Sequence, residues 1–410
     1  MYEGGFDVST PADNAVRQVF VIKQCNKAIN YLNTPPASGV PRSGEAVLLS
    51  CVLFICIEAF QGNHHTALTH LENGLKVMGS WLNDDDEPVF DSGYVSRPSR
   101  HFIEEELVPV FKRLDVMGTN FINSRPVHAD MLSSSVIRAP TVPDSFSSLT
   151  EANERLANIV HFMLHSNNKS HNMMYWMVDN PMIKMNLTPP PGETVPKIPD
   201  IVMKKIRIIE KEHTALLEKW LSTMNSFLKS NSSHLDAEAL RGAVLLKILY
   251  LGASVIIVPS LYNHDMEYDN YTPKFDQIVT LSESLLKSRT SAHTPSYSIE
   301  LGLLPPLHYA SCRCRDPVIR RRALSLLAEF PRREGLWDSG MLAAVARWVI
   351  EEEERGLGEF WTASAVPADV RISILDKVPI MGERQCIVQY CLGVRDPYKK
   401  LEVMEKLIVW

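Results

Sequence analysis

The sequence predicts an all-α protein, predominantly helical with antiparallel helix-hairpin packing, and a small β element at its C-terminal end. Three observations carry that expectation. Apolar residues recur at three- and four-residue spacing through most of the 410 residues, which places them on one stripe of a helix. The strongest such run is Ile206, Ile209, Leu216, Leu217, Trp220, Leu221, Met224, Phe227 and Leu228, too long for a strand. Near the end of the chain the period changes to two, in Val370-Arg371-Ile372-Ser373-Ile374-Leu375, the alternation of a half-buried strand.

In chain order, an amphipathic helix runs from Asn14 to Leu32 and is closed by the Pro- and Gly-containing loop 33–39. Ala46 to Met78 reads as two helices folded back through Gln61-Gly62-Asn63. The first is apolar on nearly every face, as suits burial on all sides, whereas the second keeps Ala67, Leu68, Leu71, Leu75 and Met78 on one stripe. The run Asn83 to Pro88 is turn chemistry. Helical spacing resumes at Ile103, Leu107, Val110, Phe111, Leu114 and Met117, with Pro109 inside it, so the helix either starts there or kinks.

Residues 124–150 are rich in Ser, Pro and Thr without periodicity and predict a long loop, over the surface or along a cleft. Leu156, Ile159, Val160 and Met163 mark a helix, and Thr188 to Glu193 a break. After the 206–228 helix come a hydrophobic helix from Asp236 to Val258 and a third with Ile278, Leu281, Leu285 and Leu286. Three such consecutive helices are expected as antiparallel neighbours. Cys386 to Cys391 reads as a strand; Leu401 to Trp410 reads as a strand or as a short helix, since Leu401, Met404 and Leu407 are spaced by three. The whole of 1–410 is expected as one helical body, with a subdivision into 1–123, 150–355 and 368–410.

Net charge is −6 with 45% hydrophobic residues. A mildly acidic chain has no global attraction for phosphate, so any contact with DNA must come from a local basic patch, an added domain or a partner. The seven cysteines, at 25, 51, 56, 312, 314, 386 and 391, are scattered and odd in number, which reads as reduced thiols of cytosol or nucleus. MYEGGFDVST carries no secretory signature. The longest uncharged apolar runs, Ala46 to Ile57 and Ile248 to Pro259, fall short of the roughly 20 residues that span a bilayer. Neither export nor membrane insertion is expected.

Each candidate for chemistry has a plainer reading. The cysteine pairs Cys51/Cys56, Cys312/Cys314 and Cys386/Cys391 lack companions for a zinc site and read as small buried hydrophobes. His161 and His165 stand one turn apart, but the zinc-protease pattern wants Glu where Phe162 stands, and His64, His65 and His70 read as a solvated helix face. The acidic run Asp84 to Glu87 lacks the third acid of a magnesium-diphosphate site, because Pro88 stands four residues after Asp84, where that acid is required. No phosphate-cradling glycine loop or nucleophile elbow occurs. Arg313, Arg315, Arg320, Arg321, Arg322, Arg332 and Arg333 form a basic cluster that reads as an import signal or phosphate-binding face, or, with Glu329 and Glu334 nearby, as a solvated face of ion pairs, the reading preferred. Glu351 to Glu354 are expected to face solvent. No catalytic, cofactor-binding or metal-binding residue is assigned.

Four stretches carry a resemblance to a known family. They are the hairpin Ala46 to Met78, the segment Phe111-Lys112-Arg113-Leu114-Asp115, the run Arg321 to Leu327 continuing into Pro331-Arg332-Arg333-Glu334-Gly335-Leu336-Trp337-Asp338, and Val345 to Ile350 before four glutamates. In wording and order they resemble the fungal-specific transcription factor domain, the regulatory region of fungal zinc binuclear cluster transcription factors, over roughly residues 12–410. The six closely spaced cysteines of the zinc cluster are absent from these residues.

The resemblance implies a nuclear regulator of transcription, present also in the cytoplasm, controlling genes of specialised metabolism or nutrient use, and not an enzyme. It implies partners among other transcription regulators, as a homo- or heterodimer, contact with DNA only indirectly or through a missing zinc cluster, a small-molecule effector, and no membrane. The apolar helices 206–228 and 236–258 would line an effector pocket or be plain core. Two other readings stand beside this one: a helical interaction module that modulates a related regulator without touching DNA, and a helical enzyme with an unrecognised site.

Overall fold

The N-terminal half is built from helices whose ends are written in local chemistry. A computed structural model describes residues 11–34, 42–82, 95–96, 98–122, 139–179, 200–261, 265–288, 296–358, 361–380, 383–393 and 402–410. Helix α1 spans Pro11–Asn33, and a short parallel pair, β1 (Arg42–Ser43) with β2 (Val95–Ser96), precedes and follows the predicted hairpin. In α2 (Gly44–Gln61) the Ser43 side chain accepts the Ala46 amide. Gly62 takes the left-handed conformation at φ 82°, and the Asn63 amide returns to the Glu58 carbonyl at 2.8 Å while the Gly62 amide returns to Ala59 at 3.1 Å. This is a Schellman stop, which needs a residue tolerant of positive φ.

Helix α3 (His64–Leu82) buries the predicted stripe, with Leu71, Leu75 and Met78 fully covered. The expectation for α2 is corrected. Only Gly44, Leu48, Phe54, Ile55 and Ala59 are buried, while Leu53 is 62% exposed and Leu49 and Phe60 nearly half exposed. By length and composition α2 and α7 (Ala237–Ser260) are both long and apolar enough to cross a membrane, which counting uncharged runs alone did not reveal. The apolar window of α7 is 72% buried within the protein, as in a core helix, against 28% for α2.

Pro109 lies inside a continuous helix that adjusts locally rather than at a helix start, since residues 100–102 are already helical. A π-helical turn, Ile103–Leu107, in which the Val108 amide reaches back to the Ile103 carbonyl, leads without a break into α4 (Val108–Phe121) and shifts the hydrogen-bond ladder beside the proline's missing N–H. Helices α5 (Leu149–Asp179), α6 (Asp200–Asn231), α7 and α8 (Thr272–Lys287) pack as neighbours. Asp236 caps α7 by accepting the Ala239 amide at 2.8 Å. Trp220 of α6 is fully buried, donates its indole N–H to the Ala152 carbonyl at 2.8 Å, and stacks on Tyr250 of α7 at 5.8 Å. The turn chemistry at 84–88 and the break at 188–193 lie outside the described residues, as do 35–41 and 123–138 of the predicted loops.

Periodicity did not reveal α9 (Leu304–Arg313), whose two prolines sit in its first turn. It is followed by α10 (Pro317–Glu329) and α11 (Ser339–Glu353). Between them β4 (Arg332–Glu334) pairs parallel with β3 (Ser296–Ser298) and antiparallel with β5 (Trp337–Asp338). The stretch Arg332 to Asp338 is a set of structural clasps. Buried Glu334 accepts the amides of Gly302, Leu303 and Leu304 at 2.8–3.0 Å, satisfying the start of α9. Arg333 reaches the Phe60 carbonyl of α2 at 2.8 Å, and Asp338 caps α11 through the Met341 amide.

The C-terminal β element is an antiparallel meander of β6 (Ile372–Pro379), β7 (Gln385–Leu392) and β8 (Met404–Val409), with a bulge between Ile374 and Asp376. The last segment is therefore a strand. The sheet packs on α11, where Trp348 meets Tyr390 edge-on at 4.9 Å. A continuous apolar cluster includes Leu48 of α2 and Ile408 of β8.

Candidate functional site

Small residues on α7 leave room where four helices would otherwise close. A cleft of about 600 Å³ opens between α2, α4, α5 and α7, bordered by Ile299 to Leu301 and Pro305-Pro306. Val52 of α2, Val110 of α4, Leu156 of α5 and Leu245, Leu249 and Ile256 of α7 form apolar walls. Gly242 and Gly252 lie on the α7 side. A side chain at Gly252 would run into Pro306 Cγ at 2.8 Å, whereas at Gly242 the nearest atom is Leu149 Cδ1 at 3.9 Å. The wall therefore ends in open space beside Gly242. Polar groups are few: Asn120, Asn153, Thr150, and the pair Arg113 and Glu300, with Arg113 Nε 3.2 Å from Glu300 Oε1.

Of the two helices expected to line a pocket, α7 does and α6 does not; the described α6 residues Leu217, Trp220 and Met224 are core. The sequence offered one sign of Arg113 in the Phe111 to Asp115 segment, but nothing local marks Glu300 as its partner across the fold.

The histidine pair on α5 is not solvated. His161 and His165 are 5% and 6% exposed, and His161 Nε2 lies 3.7 Å from the fully buried Asp115 of α4. No group of three or more His, Cys, Asp or Glu among the described residues is placed to hold a metal. The histidines of α3 divide. His65 is exposed, His70 stacks on Phe54 at 5.2 Å, and His64 stacks on Phe121 at 5.1 Å with Nε2 2.8 Å from the Leu336 carbonyl. Desolvation holds the His64 pKa down at about 4, so that ring belongs to the packing between α3, α4 and the 332–338 clasp rather than to a polar face.

The basic cluster is also corrected. Arg313, Arg315 and Arg320 are buried, at 6%, 1% and 0% exposure, and each points at buried acid. Arg313 and Arg315 meet Asp265, and Arg315 and Arg320 meet Glu353, which also accepts the Ile372 amide at 2.8 Å. Arg371 grips Asp269 with two contacts of 2.8 Å. Burial alone would raise the Asp265 and Glu353 carboxyls, yet the adjacent guanidiniums outweigh it and hold both below the usual carboxylate range. Glu353, expected in solvent, is 1% exposed. On the surface, Arg321 pairs with Glu354, and Arg322 with Asp276 and Glu283. The cluster thus spends its charge within the protein. An arginine interrupting the apolar run around Cys312 was the available sequence signal; its partners lie 48 and more residues away.

All seven cysteines are unpaired, and the four in the C-terminal half are buried. Burial raises Cys312 and Cys386 to about 11 and Cys314 to about 12, which keeps these thiols protonated and unreactive.

Over 82 residues the chain is 32% identical to the aspercryptin biosynthesis cluster-specific transcription regulator atnN of Emericella nidulans. The protein is similar to a fungal transcription regulator over part of its length. The matched stretch is 19% of this chain, and the chain covers 13% of that relative. No family model matches the chain, and no solved structure matches it.

Proposed function

We propose that this chain is a transcription regulator of the fungal zinc-cluster type, working in the nucleus on a gene set for a specialised metabolite or nutrient use. The observation that carries the reading is the 32% identity over 82 residues to a cluster-specific regulator; the helical body agrees with it. The relative's printed role is regulation rather than catalysis, in keeping with a non-enzymatic chain. DNA is reached through a partner regulator or a zinc cluster outside these residues, because Arg313, Arg315 and Arg320 are committed to buried carboxylates.

A second reading, an interaction module that modulates a related regulator, is favoured by the apolar surface of α1 and α2. Phe20 is 61% exposed, Val16 70%, and Leu53 62%; such exposed apolar surface marks protein contact.

Chromatin immunoprecipitation of the tagged chain in its native host, alongside transcript profiling of a deletion strain, separates the two. The regulator reading expects occupancy at the promoters of the genes whose transcripts change. Transcript change without occupancy, together with co-purification of a zinc-cluster regulator, favours the interaction module. Neither occupancy nor transcript change sinks both.

A further inference from the structure

The cleft between α2, α4, α5 and α7 is walled mostly by apolar side chains and carries the pair Arg113 and Glu300. We infer that it binds a small apolar molecule carrying one anionic end, with the anion held by Arg113. This goes beyond the regulatory reading and stands on the cleft's own geometry, so either can fail alone.

Size comes first. About 600 Å³ lies inside the range of roughly 300–1,000 Å³ typical of small-molecule sites. Filled at the density of a protein interior it holds about 25 non-hydrogen atoms. The lining comes second. Leu245, Leu249 and Ile256 of α7 and Val52 of α2 are only partly covered, although they face one another across the opening. An interior void sealed from water would leave these side chains fully buried; here an apolar guest would complete their burial.

The polar groups decide the chemistry of the guest. Arg113 is the one cation among the described lining residues. Its partner Glu300 is the more exposed of the two, 55% against 33%, and sits on irregular chain rather than on a helix. A solvent-exposed ion pair of this kind contributes little, so a carboxylate or sulfonate entering the cleft displaces Glu300 at small cost. It then meets the guanidinium fork from the drier side, where paired N–H donors suit a planar or tetrahedral anion. Asn120 and Asn153 add neutral amides that orient the polar end.

The test uses the purified full chain and two fluorescent dyes of matched apolar body, anilinonaphthalene sulfonate and its uncharged counterpart N-phenyl-naphthylamine. The anion is expected to bind saturably and about tenfold tighter than the neutral dye, reflecting one charge-assisted contact. Arg113→Gln should bring the two dyes to similar affinity, and Glu300→Gln should tighten the anion by freeing the guanidinium. Gly242→Leu fills the cleft from a position with open space around its Cβ, so it should abolish both dyes with the fold intact by circular dichroism and thermal melting. The inference is overturned if no saturable binding occurs, if Gly242→Leu leaves binding unchanged, or if the Arg113 and Glu300 variants do not alter the preference for the anion. Chromatin occupancy in the native host is measured separately and does not depend on either dye.

Discussion

Arg315 holds Glu353 through two contacts, Nη2 to Oε1 at 2.7 Å and Nε to Oε2 at 3.2 Å, with no solvent reaching either side chain. Because Oε1 of Glu353 also accepts the Ile372 amide, this pair joins α11 and the start of α10 to strand β6. Removing one partner would leave buried guanidiniums uncompensated, which typically costs about 3–5 kcal/mol. Glu353→Ala is therefore expected to lower unfolding free energy by about that amount, and to speed amide exchange in β6 first. A loss under about 1 kcal/mol in urea denaturation, the range of surface pairs, would show that the network contributes little.

Acid should weaken the fold from an unusually high pH. His213 is fully buried with neither ring nitrogen hydrogen-bonded, and desolvation lowers its pKa to about 4. The folded pKa lies below the unfolded value near 6.5, so the unfolded chain takes up the proton first and stability falls as pH drops from about 6.5 towards 4. Asp265 and Glu353, also depressed, continue the loss below the ordinary carboxylate range. His213 alone should account for roughly 2 kcal/mol between pH 7 and pH 5. Thermal melts of the wild type and His213→Leu at both pH values measure this; an equal pH dependence in the two proteins would rule the assignment out.

Gly335 is expected to tolerate no side chain. Its φ is 55°, and an added Cβ would lie 1.9 Å from Met117 Sδ and 3.2 Å from the Ile299 carbonyl. Positive φ and a backbone neighbour combine, so Gly335→Ala should cost about 2–3 kcal/mol. Chemical denaturation checks it, with Gly358→Ala, which has nothing within 4 Å, as the reference expected near zero.

Truncation should cost far more on the buried face of α3 than on the exposed face of α2. Leu71 has no exposure and Leu53 has 62%. Leu71→Ala is expected to lose about 2–5 kcal/mol, and Leu53→Ala less than about 0.5 kcal/mol. A large loss at Leu53 in the purified monomer would mean that α2 is covered after all.

Trp220→Phe removes a buried hydrogen bond together with part of a packed ring. The Ala152 carbonyl that receives the indole N–H at 2.8 Å would lose its side-chain donor, at a cost of about 1–3 kcal/mol including the altered packing on Tyr250. A denaturation midpoint identical to wild type would indicate that the carbonyl finds another donor.

Much of the architecture was legible because it is local. Helical spacing located α6, α7 and α8 within a few residues, Gly62 marked the turn between α2 and α3, and the change to period two located β6. The spacing of apolar residues reports which face of an element seeks burial, and Leu71, Leu75 and Met78 obeyed it. It does not report whether a partner is present, which is why α2, apolar on all faces, still leaves Leu49 and Leu53 in water.

The sequence by itself determined the helical class, the hairpin, the period-two strand β6 and the resemblance to fungal regulators, since each rests on short-range patterns of side-chain type. Only the tertiary structure decided what the charges and gaps do. Arg315 looks the same in a solvated face as in a core until Asp265 and Glu353 arrive from 50 and 38 residues away to offset its desolvation. The cleft exists only where α2, α4, α5 and α7 meet beside Gly242, and Arg113 meets Glu300 there although the two stand 187 positions apart in sequence. Burial and charge pairing are set by distance in space, and one-dimensional spacing carries no record of which distant segments close that distance.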